Sequence, residues 1–298
     1  MTVGPRSVQL ASERRFLALA LLPLVLIVAL MMVGPLVNLV YMSVHDLHWK
    51  GGKLHTEFVG LRHAFAFADN QLYWAGLRNT TVFASATVVL QILFGLLLAL
   101  TVRKMTCGRG LLFTIILIPI VVPPIVIGAM WKLILNTEIG VVNALVTALG
   151  FARVDWLGSA STALATVVAV DVWHWTPFTF LLLLAGLESL PHDVYESSRM
   201  DTLSEWQEFR YVTLPLLWPT IAITAMFRLI LSFKVFDEIY LLTSGGPGTA
   251  TEVVSYSIYR TFFTEDRTGL GATMSLFTCF ILALGAILMI NLRRRVVA

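Results

Sequence analysis

Ionisable side chains occur at positions where an apolar chain should not carry them. Asp171, Arg228, Lys234, Asp237 and Glu238 interrupt otherwise apolar stretches, and His174 follows Asp171 by three residues. A charge inside such a stretch is expensive, so these residues are expected to face a bundle interior or water and to mark a path for a solute, an ion or a proton. Two arrangements are open. Lys234 can neutralise Asp237 and Glu238 at i,i+3 and i,i+4 on one helix face, and Asp171 with His174 suits a proton relay. Aromatic residues gather beside them: Trp173, Trp175 and Phe178, then Phe233, Phe236 and Tyr240. Rings next to carboxyl and amide groups suit a sugar, which presents apolar C–H faces and many hydroxyls. The same rings serve elsewhere as packing or interface anchors. The candidate solute path is therefore Trp173, His174, Trp175, Phe178, Phe233, Phe236, Asp237 and Tyr240.

A second polar feature is PHDVYESSRMDTLSEWQEFRYVTLPLLWP, residues 191–219, with Glu188 just before it. It holds five acids, Asp193, Glu196, Asp201, Glu205 and Glu208, against only Arg199 and Arg210, so it cannot lie in lipid. Pro191 suits a first helical position, and Asp193 and Glu196 put negative charge near a helix N-terminus, where the dipole favours it. The pattern predicts a short helix over 191–200. Ser204 followed by Gln207 is a capping-box pattern and predicts a second helix, carrying Trp206, Phe209, Arg210 and Thr213 on one face and ending at Leu214 and Pro215. The segment reads either as a docking projection or as a solvated connector.

The elements that position these groups follow from composition. Hydrophobic residues make up 57% of the chain and charged ones 13%, against about half and about a quarter in soluble domains. Long unalternated apolar runs at 16–43, 80–102, 111–135, 162–184, 218–242 and 270–292 predict an all-α membrane protein with six transmembrane helices. The first run is longer than a signal-peptide core and is expected to be a retained span. Cys107 and Cys279 have neither disulfide nor metal spacing.

Bases concentrate beside alternate span ends. Arg6, Arg14 and Arg15 precede the first span, Arg103, Lys104 and Arg109 fill the tight connection after the second, and Arg293, Arg294 and Arg295 follow the last. The positive-inside bias puts both termini and residues 188–217 in the cytoplasm. The expected organisation is a cytoplasmic arm (1–15), a first transmembrane helix (16–43), a periplasmic loop with a short amphipathic helix (44–79), a five-helix core (80–292) and a cytoplasmic tail (293–298). Pro119, Pro123, Pro124 and Pro177 predict kinks within spans, either as ordinary packing or around a translocation path.

The run from Glu196 resembles the cytoplasmic loop of permease subunits of binding-protein-dependent ABC importers. Glu196, Ser197 and Ser198 stand at that family's E-A-A positions, Asp201 and Thr202 at its usual Asp-Gly pair, and Val212, Leu214 and Pro215 at its closing I-x-L-P. Three further runs resemble its carbohydrate-uptake branch, represented by maltose and glycerol-phosphate permeases. They are Phe58–Val59–Gly60–Leu61 with Trp74, Asn79 and Thr80; Asp171, Trp173, Trp175, Thr176, Pro177 and Phe178; and Phe236, Asp237, Ile239, Tyr240, Leu242, Thr243, Gly245, Gly246 and Pro247.

The resemblance implies a type I ABC importer permease fold whose coupling helix enters a groove of the ATP-binding subunit. Tyr195, Glu196, Ser197, Ser198, Arg199, Asp201 and Thr202 are then the coupling residues. Thr202 departs from the family's glycine, and a β-branched residue disfavours a left-handed turn there. The implied partners are a second permease, two copies of an ATP-binding subunit, a periplasmic or lipid-anchored solute-binding protein and the lipid of a bacterial cytoplasmic (inner) membrane. ATP and Mg belong to the partner subunit. The sequence has no G-x-x-x-x-G-K-[ST] loop, so the chain is not expected to be an enzyme, and no metal, cofactor or nucleic acid is expected on it. The competing readings are a self-sufficient proton-coupled secondary transporter using Asp171 and His174, and an ABC permease for a non-sugar solute.

Overall fold

The computed structural model describes residues 6–191, 193–196 and 204–297, and its apolar runs are almost entirely helical. In hydrocarbon no water satisfies the backbone, so each segment must close its own hydrogen-bond ladder. Among the described residues five helices are long and apolar enough to cross a bilayer, with a sixth crossing if a sharply bent pair counts as one span. The chain divides into two units, one of the residues up to Asp69 with Thr261–Phe277, the other of Asn70–Arg260 with the residues from Thr278.

In the first unit, α1 (Arg6–Ser43) continues through Pro23 and Pro35. None of its apolar stretch Leu19–Ser43 is buried within the chain. Lipid tails are as apolar as leucine, so lipid or another chain satisfies such a helix. The loop expected at 44–79 instead begins with a hairpin of β1 (His45–Lys50) and β2 (Lys53–Phe58). Its two-residue turn needs positive φ, which Gly51 (58°) and Gly52 (76°) supply. The amphipathic helix is α2 (Arg62–Ala68), which buries His63 and Phe67, four residues apart, on one face. Phe67 packs on Phe277 at 4.9 Å between ring centroids, and Asp46 ties the hairpin to α2 through an ion pair with Arg62, its other carboxylate oxygen lying 2.9 Å from His63 Nε2.

In the second unit, α3 (Gln71–Lys104) starts earlier than the expected residue 80, because the Asn70 side chain caps it by accepting from the Tyr73 N–H at 2.9 Å. It packs against α7 (Ala163–Glu188) and α9 (Leu214–Phe233). One apolar cluster contains Phe83, Ile127, Val167, Val168, Val235 and Ile239. A second contains Ala99, Val102, Phe180, Leu183, Leu187 and Leu217. α3, α7 and α9 each carry buried polar residues near where the two clusters meet: Thr87 and Gln91, then Asp171 and His174, then Arg228 and Ser232. They form a polar belt inside the bundle.

Two of the expected spans are broken. Residues 111–135 form α4 (Arg109–Val121) and α5 (Pro124–Ile134), which meet at 96°. Proline withholds an N–H and disfavours helix in the residue before it, so Pro123 and Pro124 force the break. The bend deprives the Val122 carbonyl of its helical donor, and His174 Nε2 lies 3.3 Å from it instead. Residues 218–242 form α9 and α10 (Asp237–Leu242), separated at Lys234–Phe236, where the Ser255 hydroxyl donates to the Val235 carbonyl. Lys234 therefore does not share a helix face with Asp237 and Glu238 as the sequence suggested.

Outside these breaks, the chain continues through α6 (Val141–Ala148), α8 (Glu205–Glu208), α11 (Val254–Tyr259) and α12 (Thr268–Val297). Asn79 and Thr80 turn out to be pins: Asn79 Nδ2 donates to the carbonyls of Thr249 and Glu252 at 2.8 and 3.0 Å, and Thr80 Oγ1 accepts from the Val254 N–H. They hold the glycine-rich loop before α11 against α3.

Asn143 does the same for the connection between α6 and α7. Its amide donates to the carbonyls of Thr137 and Val154 and accepts from Val154 N–H and Trp156 Nε1, all within 3.2 Å. Asn143→Ala leaves these partly buried groups without that partner, each loss costing about 1 kcal/mol. The expected result is faster proteolytic cleavage within 150–160, and an unchanged cleavage rate would refute the role.

Candidate functional site

The belt is an ion pair with every charge answered. Asp171 Oδ2 accepts from Gln91 Nε2 at 2.8 Å and from Arg228 Nη2 at 3.1 Å. Arg228 Nε donates to Gln91 Oε1 at 2.6 Å, and Nη2 reaches Ser232 Oγ at 3.2 Å. The guanidinium carbon stands 4.9 Å from the Trp175 ring centroid. Asp171 and Arg228 are 2% and 1% exposed, so water screens neither. Such a pair persists only where hydrogen bonds replace the lost solvation, and here Gln91 bridges both partners.

His174 Nδ1 lies 3.2 Å from Glu238 Oε1 while its Nε2 faces the Val122 carbonyl. His174 thus bridges Glu238 of α10 and the freed carbonyl at the α4–α5 break. The relay of Asp171 with His174 is not formed, since each takes a different partner.

A cavity of about 160 Å³ opens beside the belt, lined by Asp171, Trp175, Arg228, Lys234, Phe236, Asp237 and Glu238 among others. Small-molecule sites usually hold about 300 Å³ or more, so the space is constricted. Of the predicted path residues, Trp175, Phe236 and Asp237 line it; Phe178 and Phe233 do not. Phe178 instead packs edge-on to Trp175 at 6.3 Å between centroids.

Trp173 points elsewhere. One residue of helix rotates a side chain by about 100°, and Trp173 faces an apolar groove of about 930 Å³ between α3, α4 and α7, against Trp131. That groove is the larger space, but its lining of Val82, Phe94, Ile115 and similar residues offers hydroxyl groups almost nothing. It suits lipid or another apolar helix, whereas the polar cavity offers the hydrogen-bonding groups that the groove lacks.

Tyr240 stacks on Phe236 at 5.4 Å and 20°, and Tyr256 and Tyr259 complete a four-ring cluster. The last two were missed in the sequence. Their signal was two tyrosines three residues apart beside the Gly-Gly-Pro run. A hydrogen bond with Tyr240 holds the Tyr259 phenol above its ordinary pKa.

The polar segment that follows α7 is held by the bases that set the expected orientation. Arg109 pairs with Glu188, Lys104 Nζ meets Glu205 at 2.8 Å, and Arg103 Nη1 donates to the Tyr195 hydroxyl at 3.1 Å. The Lys104 hydrogen bond and charge hold the Glu205 carboxyl below its ordinary pKa. Residues 193–196 are helical, with Asp193, Val194 and Glu196 exposed and Tyr195 buried. The Tyr195 side chain is thus turned inward, away from the exposed side that Glu196 occupies. Ser197, Ser198, Arg199, Asp201 and Thr202 lie outside the described residues.

The capping box forms as expected: Ser204 N–H donates to Gln207 Oε1 at 2.8 Å, and Gln207 N–H donates to Ser204 Oγ at 3.3 Å. The helix does not end at Pro215, however. A π-turn (Phe209–Thr213), in which the Leu214 N–H bonds back to the Phe209 carbonyl, leads straight into α9 with Pro215 in its first turn. Proline is tolerated there because its missing N–H is not needed in the regular ladder.

Known proteins with this plan are transporters. The family described as binding-protein-dependent transport system inner membrane component matches residues 91–297. The trehalose/maltose transport system permease protein MalF of Thermococcus litoralis is 37% identical over 267 residues, 89% of each chain. The sulfoquinovosyl glycerol transport system permease protein SmoG of Agrobacterium fabrum is 31% identical, over 88% of this chain and 85% of that one. A crystal structure of a bacterial ABC transporter involved in the import of the acidic polysaccharide alginate contains a chain that superposes with a TM-score of 0.83 at 23% identity, covering 98% and 99% of the two chains.

Proposed function

From the premise that this chain belongs to the binding-protein-dependent transport system inner membrane components, we propose that it is one transmembrane subunit of an ATP-driven carbohydrate importer. It forms part of the path for an oligosaccharide, sugar derivative or polyol handed over by a solute-binding protein. A second permease completes the path, two copies of an ATP-binding subunit hydrolyse ATP, and both termini face the cytoplasm. The observation that carries the reading is the cavity inside the bundle, where the rings of Trp175 and Phe236 stand beside Asp237, Glu238 and Lys234. Rings cover C–H faces, and charged groups bond hydroxyls.

At about 160 Å³ the cavity is too narrow for passage, so the path must widen during the cycle. The breaks at Val122–Pro123 and Lys234–Phe236 lie on two of the elements that border it, and each freed carbonyl there is met by a side chain rather than by a rigid ladder. ATP and the loaded binding protein shift the population between closed and open paths by binding one state more tightly. The exposed Glu196 face of the cytoplasmic segment receives the push from the ATP-binding subunit.

Two variants test this in the assembled importer in proteoliposomes. Trp175→Ala is expected to lower uptake about ten-fold, equivalent to about 1.4 kcal/mol, at normal assembly. Glu196→Lys is expected to leave ATP hydrolysis running while uptake falls. Full uptake by Trp175→Ala removes that residue from the path, and full coupling in Glu196→Lys removes the docking role. A carboxy-terminal reporter active only outside the cytoplasm would overturn the orientation.

A further inference from the structure

We propose that Tyr195 is a positioning residue, the link by which movement of the cytoplasmic segment reaches α3 and α9 together, rather than a contact of the ATP-binding subunit. The proposal rests on the reading that this segment receives the push. Tyr195 is 6% exposed between two exposed neighbours, Val194 and Glu196, so its side chain points into the bundle. The Arg103 guanidinium carbon lies 4.6 Å from the centre of its ring, and Arg103 Nη1 donates to its hydroxyl at 3.1 Å. The same hydroxyl donates to Thr213 Oγ1 at 3.1 Å, and Thr213 is 4% exposed.

Arg103 lies in the last turn of α3, and Thr213 closes the π-turn that opens into α9. Tyr195 therefore joins at the cytoplasmic end the same two helices that Gln91 and Arg228 join in the belt at 2.6 Å. The two joints are separated by about 18 Å along α3 and about 22 Å along α9 at the helical rise. Helices tied at two heights cannot slide past each other without breaking a joint. A displacement of residues 193–196 must then tilt both, and the belt beside the cavity moves with them. Lys104 to Glu205 and Arg109 to Glu188 hold the flanks of the segment at exposed positions, where ion pairs contribute little. The buried tyrosine is the stiff member.

The test is Tyr195→Phe in the assembled importer, with its binding protein, in proteoliposomes. The ring stays under Arg103 and only the hydroxyl is lost. Uptake per ATP hydrolysed is expected to fall about five- to ten-fold, the size of one or two lost hydrogen bonds, with the ATP-binding subunit still co-purifying in full. Thr213→Val, which removes the acceptor at equal size, is expected to match it, and the double variant to be no worse than either single one. Normal coupling in both single variants overturns the proposal, as does loss of the ATP-binding subunit from Tyr195→Phe, which would make Tyr195 a docking contact. Glu196→Lys run in parallel separates the layers: coupled transport there defeats the docking reading itself, whereas loss there with normal Tyr195→Phe defeats only the link.

Discussion

Asp171→Ala is expected to destabilise the bundle by about 3–5 kcal/mol, because it strands the Arg228 guanidinium at a site that is 1% exposed. Thermal unfolding of the purified complex in detergent measures it. Arg228→Met should do comparable harm in the opposite sense, leaving the Asp171 carboxylate with Gln91 alone. The informative variant is the double one. A buried ion pair replaced on both sides by apolar groups is often neutral or better, so Asp171→Ala with Arg228→Met is expected to regain most of the stability. If the double variant is as unstable as the sum of the singles, the two residues do not act as a pair. Uptake is a separate measurement, and it should stay low in the double variant, since the cavity loses two of its charged walls.

Gly95→Leu is expected to separate α3 from α7 and to cost about 3 kcal/mol or more, at the upper end of overpacking effects. A Cβ at Gly95 would lie 3.0 Å from both the Phe180 backbone nitrogen and Thr179 Cγ2. Backbone cannot rotate away as a side-chain tip can. α3 and α7 share the largest interface in the second unit, and they carry Gln91 and Asp171 into bonding distance. Opening that crossing should weaken the belt too, so both folded yield and coupling fall. Gly110→Ala is the control: its Cβ meets nothing within 4 Å, and removing a helical glycine gains about 0.5–1 kcal/mol. A Gly95→Leu complex as stable as Gly110→Ala would show that the crossing is loose.

Much of this was legible from residue type and order. Apolar run length located the membrane helices, because hydrocarbon leaves no other solution for an all-apolar stretch. Ser204 and Gln207 announced a capping box that formed as written, since a cap is a local bond between residues three apart. The motif at Glu196 and the D-x-W-x-W-T-P-F and F-D-x-I-Y runs pointed to the family, and order along the chain was enough for that.

Partnership was not legible, because charge pairs are chosen in space. Lys234, Asp237 and Glu238 looked like a self-neutralising triad on a continuous helix. The helix breaks at Lys234, and Glu238 goes to His174, 64 positions away in the sequence. Asp171 and His174 looked like a relay because they are three residues apart, yet Gln91 and Arg228 claim the first and the broken α4–α5 turn claims the second. Gln91 carries no mark of its partnership in its residue type. It is neutral, and only the spacing of Thr87 from Gln91, and of Arg228 from Ser232, at helical intervals of four hinted at a polar stripe.

By itself, then, the sequence determined that the chain crosses a membrane as helices, which side its bases favour, and which family it resembles, since these follow from solvent and local order. The tertiary structure decided which charges meet, that Trp173 turns from the cavity while Trp175 faces it, and that the Tyr195 side chain is buried between exposed neighbours. Each of those depends on the rotation of one helix against another, and a difference of one residue in register reverses it.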